Sequence, residues 1–170
     1  SSREIIQSFK DNRIKYFYSD QFTDLGGARA KACNFVEGDF LAILDTDDIW
    51  YPKKLEKQLK YFEDHEVGLC ISNTLFFNSK KRNILYKRNP PVGKVTENLL
   101  ENYFISLESI LIKMEYINKL NIFFDKRFSH IADFDLIIRL STICKMAYCP
   151  EVLSGWRIHE SNASFTENEK

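Results

Sequence analysis

Residues 40–44 form an uninterrupted apolar run, Phe40-Leu41-Ala42-Ile43-Leu44, and the next four positions are Asp45-Thr46-Asp47-Asp48. A strand with one solvated face alternates apolar with polar, so a short wholly apolar run reads as a strand buried on both faces. Such a strand needs a layer above and a layer below, which points to an α/β architecture. The acid then falls at the strand's carboxyl end, where open α/β sheets bind their ligands. Three carboxylates within four residues repel one another. A divalent cation such as Mg²⁺ or Mn²⁺ offsets that repulsion, because these ions favour carboxylate oxygens together with substrate phosphates. The plainer alternative is a solvated turn in which Asp48 caps the helix that begins near Pro52. An EF-hand loop is excluded, since Ile49 and Trp50 stand where such a loop needs Asp or Asn and then Gly.

The rest of the chain alternates in the same manner. A helix closes near Phe9, residues 14–18 read as a strand, and Gly26-Gly27 precede a helix over 28–36 that Gly38 ends. Pro52 opens a helix to about residue 64, with Leu55, Leu59 and Phe62 on its inner face. Residues 67–77 return as a strand, and a polar turn at 78–81 leads to an apolar stretch at 84–86. The prolines of Asn89-Pro90-Pro91-Val92-Gly93 mark a loop. Helices follow over 96–102, 115–120 and 132–142, with a strand at 109–113 and closing strands at 145–149 and 152–158. At 170 residues and 44% hydrophobic, the chain suffices for one domain with a sizeable core. Lys plus Arg equal Asp plus Glu at 24 each, which argues against a general nucleic-acid binder. No apolar run approaches the roughly 18 residues that cross a bilayer. Four cysteines without a CxxC pair do not make a disulfide scaffold.

Further residues carry chemistry. Asp133 and Asp135 open the helix over 132–142, where a carboxylate is favoured by the helix dipole in any protein. Near the end stands Gly155-Trp156-Arg157-Ile158-His159-Glu160-Ser161-Asn162-Ala163-Ser164. His65 and His130 read as structural histidines.

With Gly27-Ala28-Arg29-Ala30-Lys31, the run from Glu37 to Trp50, and Pro52-Lys53-Lys54-Leu55, the sequence resembles family 2 glycosyltransferases of the GT-A fold. The resemblance implies a Rossmann-like mixed sheet flanked by helices. Asp45 and Asp47 match the family's Asp-x-Asp motif, which holds Mn²⁺ or Mg²⁺ against the diphosphate of a nucleotide sugar. It makes Asp133 the catalytic base, and gives Arg157 and His159 roles at the diphosphate, His159 also as a metal ligand. Arg29 falls on the nucleotide side. Departures are Ala30, where the family often has Asn, and Ala132, where it has Glu. The implied reaction moves a sugar, commonly from a UDP-sugar, to a saccharide or lipid-linked acceptor with inversion. Cell-surface glycan synthesis in a bacterial cytoplasm is the implied setting, with peripheral attachment at the inner membrane face as an open alternative. Loops such as 89–93 and 103–108 would choose donor and acceptor, and Trp50 would line the sugar side or sit in the core. The family's opening strands have no counterpart, and the chain begins Ser1-Ser2-Arg3, so an N-terminally truncated domain over 1–170 is expected. A metal-dependent phosphatase of the haloacid-dehalogenase type, which also sets Asp-x-Asp after an apolar strand, and an inactive remnant are the alternatives.

Overall fold

The computed structural model describes residues 2–21, 24–129, 131–160 and 162. Its sheet is built on two long parallel strands, β3 (Val67–Phe77) and β6 (Lys145–Arg157), paired from Val67↔Lys145 to Phe77↔Arg157. The first eight residues of β3 are all buried, as a strand covered on both faces requires. β5 (Leu111–Lys113) runs antiparallel beside β3, and β1 (Phe40–Leu41) antiparallel beside β5. On the other side β2 (Ile49–Trp50) pairs antiparallel with β6, giving the order β1-β5-β3-β6-β2. β4 (Arg82–Ile84) pairs with the far end of β3 and completes a mixed six-stranded sheet. Successive side chains of β3 enter different clusters. Leu69 and Ile71 pack with Leu99 of α4 (Thr96–Glu101), Ile117 of α5 (Met114–Ile117) and Leu136 and Leu140 of α6 (Ala132–Ser141). Cys70 packs with Phe62, Leu111, Cys149 and Leu153. The core therefore lies on both sides of the sheet, and all four cysteines are free.

Several expected elements differ in detail. The two closing strands are one, because a bulge near Pro150 carries the pairing from Ser72↔Cys149 to Asn73↔Val152. Proline cannot donate to a ladder, so an irregularity absorbs it without ending the strand. Residues 14–18 form no strand. A strand exists only by pairing, and none of the described residues makes a ladder with this stretch. Phe17 instead stacks on Phe35 with ring centroids 3.7 Å apart.

The helix α2 (Leu25–Ala32) starts ahead of the glycines, because the Gly27 N–H donates to Asp24 Oδ1 at 2.7 Å and so fixes the helix start. Gly26 is buried under the backbone of Phe128, whose carbonyl oxygen would lie 1.9 Å from any Cβ placed there. Only glycine permits that approach, and with it α2 is seated where Arg29 faces the acidic loop.

The largest reversal is in α3 (Lys54–Leu59). Lys54 and Gln58 are inside, at 2% and 0% exposure, while Leu55 and Leu59 are exposed. Polar hooks set this phase. Lys54 Nζ donates to Gln58 Oε1 at 2.7 Å and to the Ile110 carbonyl at 3.0 Å, and lies 4.8 Å from the centre of the Trp50 ring. Gln58 Nε2 donates to the carbonyls of Cys70 (3.1 Å) and Ser109 (2.8 Å). Burial pushes the Lys54 ammonium down to about 8.

Candidate active site

The strand expected over 40–44 with both faces buried is only Phe40–Leu41, half-buried at the end of the strand order, and Leu44 is exposed. Beyond β1 the chain runs on to Asp45, where a cavity of about 770 Å³ opens. The acidic loop between β1 and β2 forms one wall, the segment ahead of β5 another, and Asp133 in the first turn of α6 closes it. Each acid of the loop has a different partner. Asp45 takes both carboxylate oxygens to Arg29 Nη2 at 3.1 Å. Asp47 Oδ2 lies 2.9 Å from His159 Nε2. Asp48 Oδ1 accepts the backbone N–H of Arg157 at 2.9 Å, which joins the loop to the end of β6. It does not cap α3, whose N-cap position is Lys53 with φ 70 and no side-chain cap. The capping alternative for Asp48 is therefore corrected.

Asp48 is pushed up to about 6, first by burial and then by the negative charges of Glu108, Asp47 and Asp45, against the lowering effect of the Arg157 N–H.

Among the described residues no three His, Cys, Asp or Glu side chains converge as metal ligands. Asp45, Asp47 and His159 do not form one ligand set, because Asp45 is turned to the Arg29 guanidinium. Asp47 and His159 remain an adjacent oxygen–nitrogen pair, to which a small divalent cation would have to add substrate oxygens. Arg157 stands behind the cavity and not in its wall. Its Nε donates to the Asp47 carbonyl at 2.9 Å and its guanidinium lies 4.9 Å from the Phe77 ring centre. His159 is set by Asn162, which accepts its backbone N–H at 2.6 Å and donates to the Arg157 carbonyl at 3.0 Å.

Of the two acids on α6, Asp133 faces the cavity. Asp135 is bound by Arg139 at 2.6 Å, and that arginine also donates to the carbonyls of Ile122 and Phe123. Of the two loops expected to select substrates, 103–108 lines the cavity and 89–93 does not. The latter is bridged to Met146 through Gly93. Trp50 is not in the wall either, since its Nε1 donates to the Glu108 carbonyl at 2.9 Å. His65 offers its carbonyl to the Tyr116 hydroxyl, and His130 lies outside the described residues.

Glu108 was not expected. It is 3% exposed, lines the cavity, and accepts the Ser106 hydroxyl on Oε1 at 2.6 Å. Its signal in the sequence is a single acid inside the apolar stretch 104–112. Burial raises its carboxyl above the usual glutamate value, with Asp45 adding and the Ser106 bond opposing. A carboxyl whose folded pKa is raised stabilises the fold fully below the unfolded value. That contribution is lost as pH rises through the folded value. Glu108→Gln should therefore raise the melting temperature at neutral pH, and much less at about pH 4. Calorimetry at the two pH values checks this.

The model of glycosyl transferase family 2 matches residues 1–131, and the chain belongs to that family. It is 32% identical over 165 residues to an uncharacterized glycosyltransferase of Methanocaldococcus jannaschii, an alignment covering 92% of this chain and 56% of that protein. It is 29% identical over 168 residues to the UDP-Glc:alpha-D-GlcNAc-diphosphoundecaprenol beta-1,3-glucosyltransferase WfgD of Escherichia coli, covering 96% of this chain and 63% of WfgD. The chain thus spans a little over half the length of these relatives. Among solved structures, S. aureus TarS 1–349 in complex with UDP-GlcNAc superposes with a TM-score of 0.74 at 14% identity, covering 97% of this chain and 48% of that one. The fold is accordingly the GT-A-like mixed α/β fold of the glycosyltransferases. Membership in this family sets the phosphatase alternative aside. Among the described residues, no helix is long and apolar enough to cross a membrane.

Proposed function

We propose that the protein transfers a sugar from a UDP-sugar to a saccharide or lipid-linked acceptor, with inversion, in cytoplasmic assembly of a cell-surface glycan. The observation that carries this reading is one cavity lined by Asp47, which His159 contacts from outside the lining, by the Asp45–Arg29 pair and by the carboxylate of Asp133. In this reading Asp47 and His159 would hold Mn²⁺ or Mg²⁺ beside the donor's diphosphate. The metal would supply positive charge for the departing diphosphate. Arg29 keeps Asp45 oriented at the edge of that site. Asp133 takes the proton of the acceptor hydroxyl as its oxygen attacks the anomeric carbon from the face opposite the leaving group, which inverts that carbon. WfgD, by its name, glucosylates a lipid-linked GlcNAc from UDP-Glc, which supports a donor and acceptor of these classes.

A melting series of the full-length protein with UDP, GDP, CDP and CMP, each with and without Mn²⁺, tests the donor side. A ligand present at 100 times its dissociation constant stabilises a protein by about 2.7 kcal/mol. The expected result is a shift with UDP that requires Mn²⁺. Equal shifts without metal would overturn the cation site, and no shift with any nucleotide would favour an inactive remnant.

A further inference from the structure

Two buried side-chain polar atoms have no hydrogen-bond partner among the described residues, Ser72 Oγ and the hydroxyl of Tyr103. Ser72 lies on β3 inside the sheet, whereas Tyr103 lines the cavity. A buried hydroxyl without a partner costs stability, and a phenylalanine would fill the same place without that cost. The ring is held by packing, edge-on to Phe134 at a centroid distance of 5.1 Å, next in sequence to Asp133. Burial, then the charge of Asp133, pushes the phenol well above its ordinary value, so it keeps its proton and can donate. Arg29 and Glu108 are also among its charged neighbours. Tyr103 thus shares one cavity wall with Arg29 and Asp45 and with Asp133.

We propose that the Tyr103 hydroxyl donates a hydrogen bond to a hydroxyl of the transferred sugar. This rests on the function proposed above. An in-line displacement places that sugar between the diphosphate and the base, inside the cavity that Tyr103 lines together with Asp47 and Asp133. Tyr103 is then a specificity-determining contact whose partner arrives with the substrate.

The test is Tyr103→Phe in the full-length protein, measuring ligand-free melting and, in Mn²⁺, binding of UDP, UDP-glucose and UDP-N-acetylglucosamine. The expected variant melts no lower than the parent and binds UDP as before. It binds the UDP-sugar that the parent prefers about tenfold more weakly, the usual scale of one lost hydrogen bond. A lower melting temperature would assign Tyr103 a structural role and overturn the proposal. Equal weakening of UDP and UDP-sugar, or unchanged binding of both, would overturn it too. A parent protein that binds UDP but gains nothing from an attached sugar overturns the Tyr103 contact alone. A parent that binds none of the three overturns the nucleotide-sugar reading as well.

Discussion

Asp133→Asn should lower transfer by about 10²- to 10⁴-fold, the range ascribed to a positioned general base. Asparagine keeps the size of the side chain and an oxygen that accepts hydrogen bonds, but it cannot take a proton at neutral pH. The attacking hydroxyl would then have to lose its proton to water. Asp133 lies in the first turn of α6, lines the cavity and has no ion-pair partner among the described residues, in contrast to Asp135. The substitution should therefore leave the fold and UDP binding intact. Steady-state rates at saturating donor, beside a UDP binding curve, make the comparison. Asp135→Asn is the control. It breaks the bond to Arg139, which also secures the carbonyls of Ile122 and Phe123, so it should cost stability with little effect on turnover. Full activity in Asp133→Asn would remove Asp133 from the reaction.

Gln58→Ala carries the largest expected loss of stability, about 3–5 kcal/mol. The side chain is fully buried and makes three strong contacts: two donated bonds to the carbonyls of Cys70 and Ser109, and one accepted from Lys54. Alanine leaves a cavity, two buried carbonyls without their donor, and an ammonium group with one partner fewer. Each of these separately costs on the order of 1–3 kcal/mol. Trp50, Gln58 and Lys54 also donate to the carbonyls of Glu108, Ser109 and Ile110 in succession. The damage should therefore spread to the cavity wall that carries Glu108. Gln58→Leu, which refills the space without the bonds, should recover part of the loss. Denaturant melts of the three proteins, compared at constant m-value, measure it.

These contacts also explain what the sequence could reveal. β3 and α6 are legible because Leu69 and Ile71, and Leu136 and Leu140, set apolar residues at strand and helix spacing toward the core. The face of α3 is not, because Leu55 and Leu59 mimic a buried stripe while a lysine and a glutamine take the interior through bonds to distant carbonyls. Such bonds leave no periodic trace. β2 is two residues long and exists only as the partner of β6, so no local pattern marks it. Residues 14–18 show the converse, a strand-like composition with no ladder beside it. At the candidate site, the acidic run 45–48 is legible as charge following an apolar run, whereas Asp133 and His159 stand out only through the family resemblance. Their grouping is not legible, since nothing local tells Asp45 to turn toward Arg29. The loop 103–108 is legible as a substrate-selecting segment, but which of its side chains face the cavity, Tyr103 and Glu108 among them, shows only in the structure.

The joining of the acidic loop to β6 has a consequence for the order in which the molecule is made. Asp47 meets His159, and Asp48 meets the Arg157 amide, across more than a hundred residues of chain. Contacts of such separation close late, after the entropy of ordering the intervening chain has been met. A nascent chain that has emerged only as far as α6 can fold neither β6 nor the residues that fix the loop. Asp45 can meet Arg29 earlier, but Asp47 and Asp48 lack their partners until the last strand is inserted. The cavity is thus finished from the carboxyl-terminal side, and ligand binding should appear only with the slowest refolding phase.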